Sequence, residues 1–186
     1  MSTTTGTPVR RSAAALGLSA ALAAGALAPT AGADPLDATG AQNCIVITEL
    51  ARELCAPLGE DLDRKVLEET GLTVVDSTTA PAASRAASPA SAAATYVLAR
   101  LYDDADYGGS SLSITDSSAC NGTTVKPTTD IGSGWYGRVS SFAVYNGCTV
   151  KIYETTGFGG SSYGYAGSTS YVGSAMNDRT RSLRAK

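Results

Sequence analysis

The stretch of sequence that decides the fold is "IYETTGFGGSSYG", residues 152–164. Tyr153 stands five positions before a second aromatic residue, Phe158, and Gly160 follows two positions later. The same arrangement occurs in "LYDDADYGGSSLS", residues 101–113, where the matching residues are Tyr102, Tyr107 and Gly109. Glycine at a fixed place in a loop supplies a backbone conformation that a side chain disfavours. The repeat therefore predicts that one local structure occurs twice in the chain.

The sequence from Tyr96 onward is typical of antiparallel β structure. Short runs rich in Val, Ile, Tyr, Phe, Thr and Ser alternate with Gly-containing turns. Asn146-Gly147, between "FAVY" and "CTVKIY", predicts a two-residue hairpin, because both central residues of a type I′ turn have positive φ. All twelve aromatic residues lie in this part of the chain. We therefore predict an all-β domain over residues 95–186.

The paired phrases resemble the signature of βγ-crystallin Greek-key motifs. In that family a serine late in each motif bonds back to the hairpin, and the matching segments here are "YGRVSSF" with Ser141 and "NDRTRSL" with Ser182. The resemblance implies a sandwich of two Greek keys. Motif one would cover residues 95–145, with an insertion that contains Cys120, and motif two would cover residues 148–186.

The resemblance also raises the question of a calcium site. In microbial members the closing phrase is Asn/Asp, Asn/Asp, two variable residues, Ser/Thr and Ser, and it binds calcium. The first phrase here lacks both Asn/Asp residues, and the second has Arg181 in place of the hydroxyl ligand. Shared ligation then implies at most one Ca²⁺ site, of low affinity. Its ligands would be the Asp178 carboxylate, the Ser140 hydroxyl and the backbone carbonyls of Glu154 and Arg179. The alternative is a closing phrase with a purely structural role.

The N-terminal residues have the features of an export signal. Two arginines precede an Ala/Leu-rich run that ends in Ala31-Gly32-Ala33, which is typical of a secretory signal peptide over residues 1–33. No other apolar run in the sequence is long enough to span a bilayer. We therefore predict a secreted, extracellular protein without stable membrane insertion.

The next part of the chain differs from the predicted β domain in composition. Residues 34–94 contain ten acidic and four basic residues and no aromatic one. Apolar residues at helical spacing predict two short helices within residues 34–75, one around Ile47–Leu54 and one around Leu62–Leu67. We expect this acidic segment to be either a cleaved pro-segment or a small appendage on the main domain. Residues 76–94 are rich in Ala, Ser, Pro and Thr and predict a linker.

Four cysteines are an even number, which in an exported protein indicates disulfides. Among the three possible pairings, proximity in sequence favours Cys44–Cys55 and Cys120–Cys148. A metal site built on these cysteines is not favoured, since the chain has no CxxC spacing and no histidine. A bridge from Cys120 to Cys148 would fasten the insertion of motif one to the junction of the two motifs.

Composition also restricts the function. Without histidine, Ser-His-Asp and Cys-His mechanisms have no imidazole base, and we predict that the protein is not an enzyme. Residues 95–186 are nearly neutral, with eight basic and seven acidic residues and no basic cluster. This pattern does not favour binding to nucleic acid or insertion into membranes.

The resemblance further includes small secreted peptidase inhibitors and killer-toxin-like proteins of actinobacterial type. It implies a protein-binding module, such as a peptidase inhibitor, whose partner is a secreted protease or another extracellular protein. The contact would be made by the disulfide-tied insertion, residues 115–134. Two alternatives are a calcium-binding structural or stress protein of the cell exterior and a killer-toxin-like secreted effector. We expect a monomer.

Overall fold

The computed structural model describes residues 40–78 and 93–186 of the chain. These residues form two β-sheets and one α-helix, so the predicted all-β class is confirmed. The predicted signal peptide, residues 1–33, lies outside the described residues, as does most of the predicted linker, residues 76–94. Within the described ranges, no helix is long and apolar enough to cross a membrane.

Sheet A contains strands from both described ranges. Its strands are β1 (Gln42–Ile47), β2 (Arg52–Pro57), β3 (Thr73–Val75), β4 (Ala94–Tyr102), β5 (Ser111–Asp116) and β7 (Ser141–Val144). Their order is β2-β1-β5-β4-β3, and β7 also pairs with β4. The β1–β5 and β3–β4 pairs are parallel, whereas the β4–β5 and β4–β7 pairs are antiparallel.

Sheet B is built mainly from the second motif. Its strands are β6 (Lys126–Thr128), β8 (Val150–Tyr153), β9 (Ser162–Ala166) and β10 (Ser182–Ala185), in the order β6-β10-β8-β9. Strand β6 comes from the first motif, and in return Thr169 of the second motif forms a bridge with Phe142 in sheet A. Each sheet therefore receives a strand or bridge from the other motif, which couples the two motifs.

The main hydrophobic core lies between the two sheets. Sheet A contributes Leu101, Leu112 and Phe142, and sheet B contributes Ile152 and Leu183; none of these side chains is exposed. Burying an aliphatic or aromatic side chain of this size stabilises the fold by about 1.5–3 kcal/mol. This core fixes the relative positions of the two hairpins that carry the repeated phrases.

The N-terminal part of the described chain, residues 40–78, differs from the prediction; we call it the N-terminal segment. The helix predicted around Ile47–Leu54 is wrong, because β1 and β2 form an antiparallel hairpin there, joined by a 3₁₀ turn at Thr48–Leu50. Cys44 lies directly opposite Cys55 in this hairpin, and the predicted disulfide joins them. Pairing with β5 of the β domain, residues 93–186, replaces the local helical preference.

The second predicted helix of the N-terminal segment is present as α1 (Leu62–Thr70). The Asp61 carboxylate accepts a hydrogen bond from the Arg64 amide at 2.9 Å and thereby caps its first turn. Val66 is fully buried and packs in a small cluster with Ile45, Ile47 and Leu54. The segment therefore has an apolar cluster of its own, separate from the main core.

The turn at Asn146-Gly147 does not form the predicted hairpin. Both residues have positive φ, 50° and 73°, and the Cys148 amide donates to the Tyr145 carbonyl at 3.0 Å, so the tight turn is present. However, the strand before it, β7, belongs to sheet A, and the strand after it, β8, belongs to sheet B. The turn thus carries the chain from one sheet to the other. The local sequence specifies the turn but not the partners of the flanking strands.

Candidate functional site

The first repeated phrase forms a folded hairpin loop that a buried serine holds. The Ser141 hydroxyl donates to the Asp104 carbonyl at 2.6 Å and accepts a hydrogen bond from the Tyr107 amide at 3.1 Å. The rings of Tyr102 and Tyr107 meet edge to face, with centroids 5.7 Å apart. Gly109 has φ +74°, and a Cβ there would lie 2.0 Å from a carboxylate oxygen of Asp103. These contacts fix the loop between β4 and β5.

The second repeated phrase forms the same loop with the same contacts. The Ser182 hydroxyl donates to the Thr155 carbonyl at 2.6 Å and accepts from the Phe158 amide at 3.1 Å. The rings of Tyr153 and Phe158 lie 5.6 Å apart, again edge to face. Gly160 has φ +72°, in the left-handed region that favours glycine. The two phrases therefore use one physical arrangement twice.

The acidic residue after the first aromatic of each phrase is paired with an arginine. Arg138 contacts the Asp103 carboxylate at 2.7 Å, and Arg179 contacts the Glu154 carboxylate at 2.6 Å. Each arginine stands three positions before the closing serine of its motif. The pairs join the loop at the start of each motif to the phrase that closes it.

The carboxylate of the second motif also binds the hairpin backbone. The Ser161 amide donates to Glu154 Oε2 at 3.0 Å. This hydrogen bond, together with Arg179, holds the pKa of Glu154 below its usual value. In the first motif Asp103 Oδ1 is buried and has no hydrogen-bond partner among the described residues. The shorter Asp103 side chain thus leaves one acceptor unpaired where Glu154 satisfies both of its oxygens.

A cleft of about 460 Å³ opens where the two closing phrases meet, and we call it the closing-phrase cleft. It is lined by Tyr136, Gly137, Glu154, Thr155, Asp178, Arg179 and Arg181. The Arg181 guanidinium lies 4.9 Å from the centroid of the Tyr136 ring. The Tyr136 hydroxyl donates to Asp130 at 2.8 Å, and this hydrogen bond raises the pKa of Tyr136. The cleft thus contains two guanidinium groups and two carboxylates.

Three of the four predicted calcium ligands line the closing-phrase cleft, and the fourth, Ser140, directly follows Val139, whose carbonyl accepts a hydrogen bond from the Asp178 amide at 3.0 Å. Asp178, Glu154 and Arg179 line the closing-phrase cleft, whereas Ser140 is not among its lining residues. Ser140 is buried, and its amide donates to the Tyr102 carbonyl, beside the first hairpin loop. Arg181 occupies the cleft without a carboxylate within 4.0 Å in the described part of the chain. Calcium binding therefore stays a prediction, and the nearby cations oppose it.

The insertion in motif one forms an exposed loop between β5 and β6. We call residues 117–125 the anchored loop. The predicted disulfide joins Cys120 to Cys148 at the motif junction. At the base of the loop, Lys126 Nζ contacts Asp116 Oδ1 at 2.7 Å. Val125, close to that base, is 43% exposed although it is apolar.

Hydrogen bonds within the anchored loop restrict its tip. The Asn121 side-chain oxygen accepts from the amides of Thr123 and Thr124, at 3.0 and 2.8 Å. Its side-chain nitrogen donates to the Thr124 hydroxyl at 3.0 Å. Gly122, between them, has φ +78°. The loop is therefore held by one disulfide, one ion pair and an Asx-type turn, while most of its side chains are exposed.

A second group of potential metal ligands, in the N-terminal segment, is not available for a metal. Cys44, Glu53 and Cys55 lie close enough to share an ion. Both sulfur atoms, however, belong to the Cys44–Cys55 disulfide. Cysteine binds a metal as a free thiolate, which neither residue provides here. Burial raises the pKa of Glu53. The cluster is thus a disulfide with one carboxylate beside it.

Solved structures of bacterial βγ-crystallin domains match about half of this chain. A βγ-crystallin domain from Clostridium beijerinckii is 26% identical, with 47% of this chain and 95% of that chain covered and a TM-score of 0.38. A domain from Flavobacterium johnsoniae is 22% identical, with 48% and 93% covered and a TM-score of 0.37. A clostrillin double mutant in complex with nickel is 23% identical, with 47% and 95% covered and a TM-score of 0.37.

No protein-family model and no curated protein matches the chain. The contacts within this chain themselves support its description as two repeated motifs. The two serine-anchored loops and the exchange between sheets, through β6 and the Phe142–Thr169 bridge, are the features that define it.

The arginine contacts were missed at the sequence level. Arg138 and Arg179 occupy equivalent positions in the two closing phrases, and that equivalence was visible in the sequence. Their partners, however, lie 35 and 25 residues away in the chain. Only the folded arrangement brings Asp103 and Glu154 within reach.

Proposed function

We propose that this chain is a secreted, non-catalytic protein-binding module that inhibits an extracellular peptidase, and that the anchored loop contacts the peptidase. The observation that carries this proposal is the anchoring of an exposed loop by the Cys120–Cys148 disulfide. The two disulfides are also consistent with an oxidising, extracellular compartment.

Rigidity of the anchored loop supports an inhibitory role. A loop that is already ordered loses little conformational entropy on binding, so more of its contact energy appears as affinity. In pre-organised complexes of proteases with inhibitors, the interface backbone moves little. The Asn121 turn and the Lys126–Asp116 ion pair restrict this loop in the free protein. Its exposed apolar residue, Val125, is the side chain we assign to a pocket of the peptidase.

The test is a panel of secreted proteases of different specificity, assayed with the purified full chain and with two matched variants. Val125→Asp places a charge on the anchored loop. Leu58→Asp places one at another exposed apolar side chain, 49% exposed, in the N-terminal segment. We expect inhibition of at least one protease, a loss of affinity of about tenfold or more for Val125→Asp, and no change for Leu58→Asp.

Two outcomes contradict the proposal in different ways. If no protease is inhibited at micromolar concentrations of the folded protein, the inhibitory function is wrong. If a protease is inhibited equally by the wild type and by Val125→Asp, the function stands but another surface carries it. Cleavage of the anchored loop by a non-target protease gives a further check, since a nicked loop loses its pre-organisation and with it most of the affinity.

A further inference from the structure

The N-terminal segment and the β domain have no disulfide between them. One disulfide, Cys44–Cys55, lies within the segment, and the other, Cys120–Cys148, lies within the β domain. No free cysteine remains. The peptide chain through residues 79–92 is therefore the one covalent link from the segment to the β domain. Any cut in that stretch yields two chains whose association depends on non-covalent contacts.

Those contacts include main-chain pairing on two strands of sheet A. Strand β1 pairs with β5 in parallel register, from Asn43 opposite Ser111 to Ile47 opposite Thr115. Strand β3 pairs in parallel with the first residues of β4. Without the segment, β5 would keep β4 as its sole neighbour among the described strands and would expose an unpaired edge. The segment thus adds strands to an existing sheet, the geometry of β-augmentation.

Hydrogen bonds of threonine hydroxyls join the end of β1 to β4 and β5. The Thr115 hydroxyl, fully buried, donates to the Val46 carbonyl at 3.1 Å. The Thr48 hydroxyl donates to the Thr115 carbonyl at 2.6 Å. Thr95 at the start of β4 donates to Glu49 at 2.9 Å. Release of the segment would break each of these contacts.

Asn146 fastens the other end of the segment. Its side-chain nitrogen donates to the Val75 carbonyl of the segment at 2.8 Å and to the Val97 carbonyl of the β domain at 2.9 Å. Its own amide donates to the Ser77 carbonyl at 2.6 Å. Asn146 is 1% exposed. One buried side chain at the motif junction therefore holds the segment directly against β4.

The segment also has internal features that keep it in its bound form. Its own disulfide closes the β1–β2 hairpin, and its apolar cluster of Ile45, Ile47, Leu54 and Val66 comes entirely from the segment. A binding element that is ordered before it docks pays less conformational entropy on association. Cys44 is part of the main core, so the segment covers one margin of that core.

We propose that residues 40–78 are a permanent strand donor of the mature protein, which remains bound to the β5 edge and to Asn146 even after the chain is cut within residues 79–92. The mature form of a processed molecule is then a non-covalent complex of two chains. This assignment differs from a leaving pro-segment, which dissociates after the cut and exposes the β5 edge.

The test uses the full chain with the recognition sequence of a specific protease inserted within residues 79–92. After cutting, we expect both pieces to co-elute on size-exclusion chromatography in native buffer, at the volume of the uncut protein. On a denaturing gel without reductant they separate, because no disulfide joins them. The melting temperature of the cut protein rises with concentration, as mass action requires for a complex of two chains.

Two variants sharpen this experiment. Asn146→Gly keeps a residue suited to positive φ and removes the side-chain donors to Val75 and Val97, so the cut complex should dissociate at a concentration at least tenfold higher. Asn177→Gly, the same replacement outside the contact, should leave the association of the two pieces as in the wild type. Separate elution of the wild-type pieces in native buffer overturns the proposal. So does co-migration without reductant on the denaturing gel, since it shows a different disulfide pairing.

Discussion

The two motifs use the same loop but stabilise it differently. Both have a serine hydroxyl bonded to the hairpin at 2.6 and 3.1 Å, and both pair an acidic residue with an arginine. In motif two, Glu154 also accepts the Ser161 amide. In motif one, Asp103 keeps a buried oxygen without a partner among the described residues. Motif one has instead a long insertion fastened by the Cys120–Cys148 disulfide.

The comparison teaches that one backbone arrangement tolerates different sources of stability. Local polar contacts hold motif two, whereas a covalent link holds the insertion of motif one to the start of motif two. Substitutions at equivalent positions of the two motifs should therefore change the free energy of unfolding by different amounts.

The largest effect is expected from the disulfide of motif one. Replacing Cys120 and Cys148 together by serine removes a closed loop with a sequence separation of 28 residues. By the chain-entropy estimate, the free energy of unfolding should fall by roughly 3–4 kcal/mol. Urea denaturation of the wild type and the double variant measures this difference. A loss below about 1 kcal/mol would show that the polar contacts of motif one suffice without the bridge.

The next largest loss of stability is expected from substitution of Gly109 or Gly160, the glycines of the two repeated phrases, and it should differ between them. Gly109→Ala and Gly160→Ala each place a side chain at positive φ, which costs about 1–2 kcal/mol. At Gly109 the new Cβ also lies 2.0 Å from Asp103 Oδ1, whereas at Gly160 the nearest atom is 3.0 Å away. We therefore expect Gly109→Ala to be the more destabilising change in urea denaturation.

Gly157→Ala is the matched control for the glycine comparison. Gly157 has φ +68°, and among the described residues no atom lies within 4 Å of the position that a Cβ would take, so the substitution adds backbone strain alone. Its cost should be below that of Gly109→Ala. Equal costs at the two positions would mean that the Asp103 carboxylate moves aside freely, despite its contact with Arg138.

The loops could be predicted from the sequence because their determinants are local. The spacing of Tyr153, Phe158 and Gly160 lies within eight residues, and the positive φ of Gly160 is a property of one position. The same applies to the tight turn at Asn146. Proximity alone was sufficient for both disulfides.

The parts that sequence reasoning missed depend on distant partners. Apolar spacing around Ile47–Leu54 suggested a helix, yet Leu50 is exposed and the segment pairs with β5, more than sixty residues later. Likewise, the resemblance of the closing phrase implied a set of calcium ligands. It did not indicate that Arg179 and Glu154 would form an ion pair with each other in the closing-phrase cleft. Strand pairing and cleft composition are tertiary properties that no local pattern determines.

We expect calcium to have a smaller effect on the stability of the protein, and we expect this effect to depend on Arg181. Arg181→Ser removes a cation from the closing-phrase cleft, where three of the predicted ligands lie. We expect about 10 mM calcium to stabilise Arg181→Ser by about 1 kcal/mol more than the wild type, as for a site with a dissociation constant near 10⁻³ M. Melting with and without calcium measures the difference.

Two control variants make the calcium experiment specific. Arg64→Ser removes a cation from α1, outside the cleft, and should leave the calcium response unchanged. Asp178→Asn in the Arg181→Ser background removes the central carboxylate ligand and should abolish the response. If Arg181→Ser shows no response to calcium, the predicted ligand set is wrong and the closing phrases have only a structural role.

The smallest expected effect is the pH dependence that the Glu154 carboxylate gives to the stability of the protein. Its pKa in the folded protein is lowered, chiefly by the Ser161 amide. A group with a lowered folded pKa stabilises the protein above its unfolded pKa, and this contribution is lost as the pH falls through the folded value. Glu154→Gln should therefore lower the melting temperature at pH 7, and the difference from the wild type should shrink as the pH falls below about 4.

Asp63→Asn is a control for which the melting temperature at pH 7 should change in the opposite direction. Burial, and secondarily Asp76, raises the pKa of Asp63 in the folded protein, so its ionised form destabilises at neutral pH. Asp63→Asn should then raise the melting temperature at pH 7, and this gain should disappear at low pH. If Glu154→Gln leaves the melting temperature at pH 7 unchanged or raises it, the Ser161 contact does not stabilise the ionised form of Glu154. The second motif would then have no advantage over the first at this position.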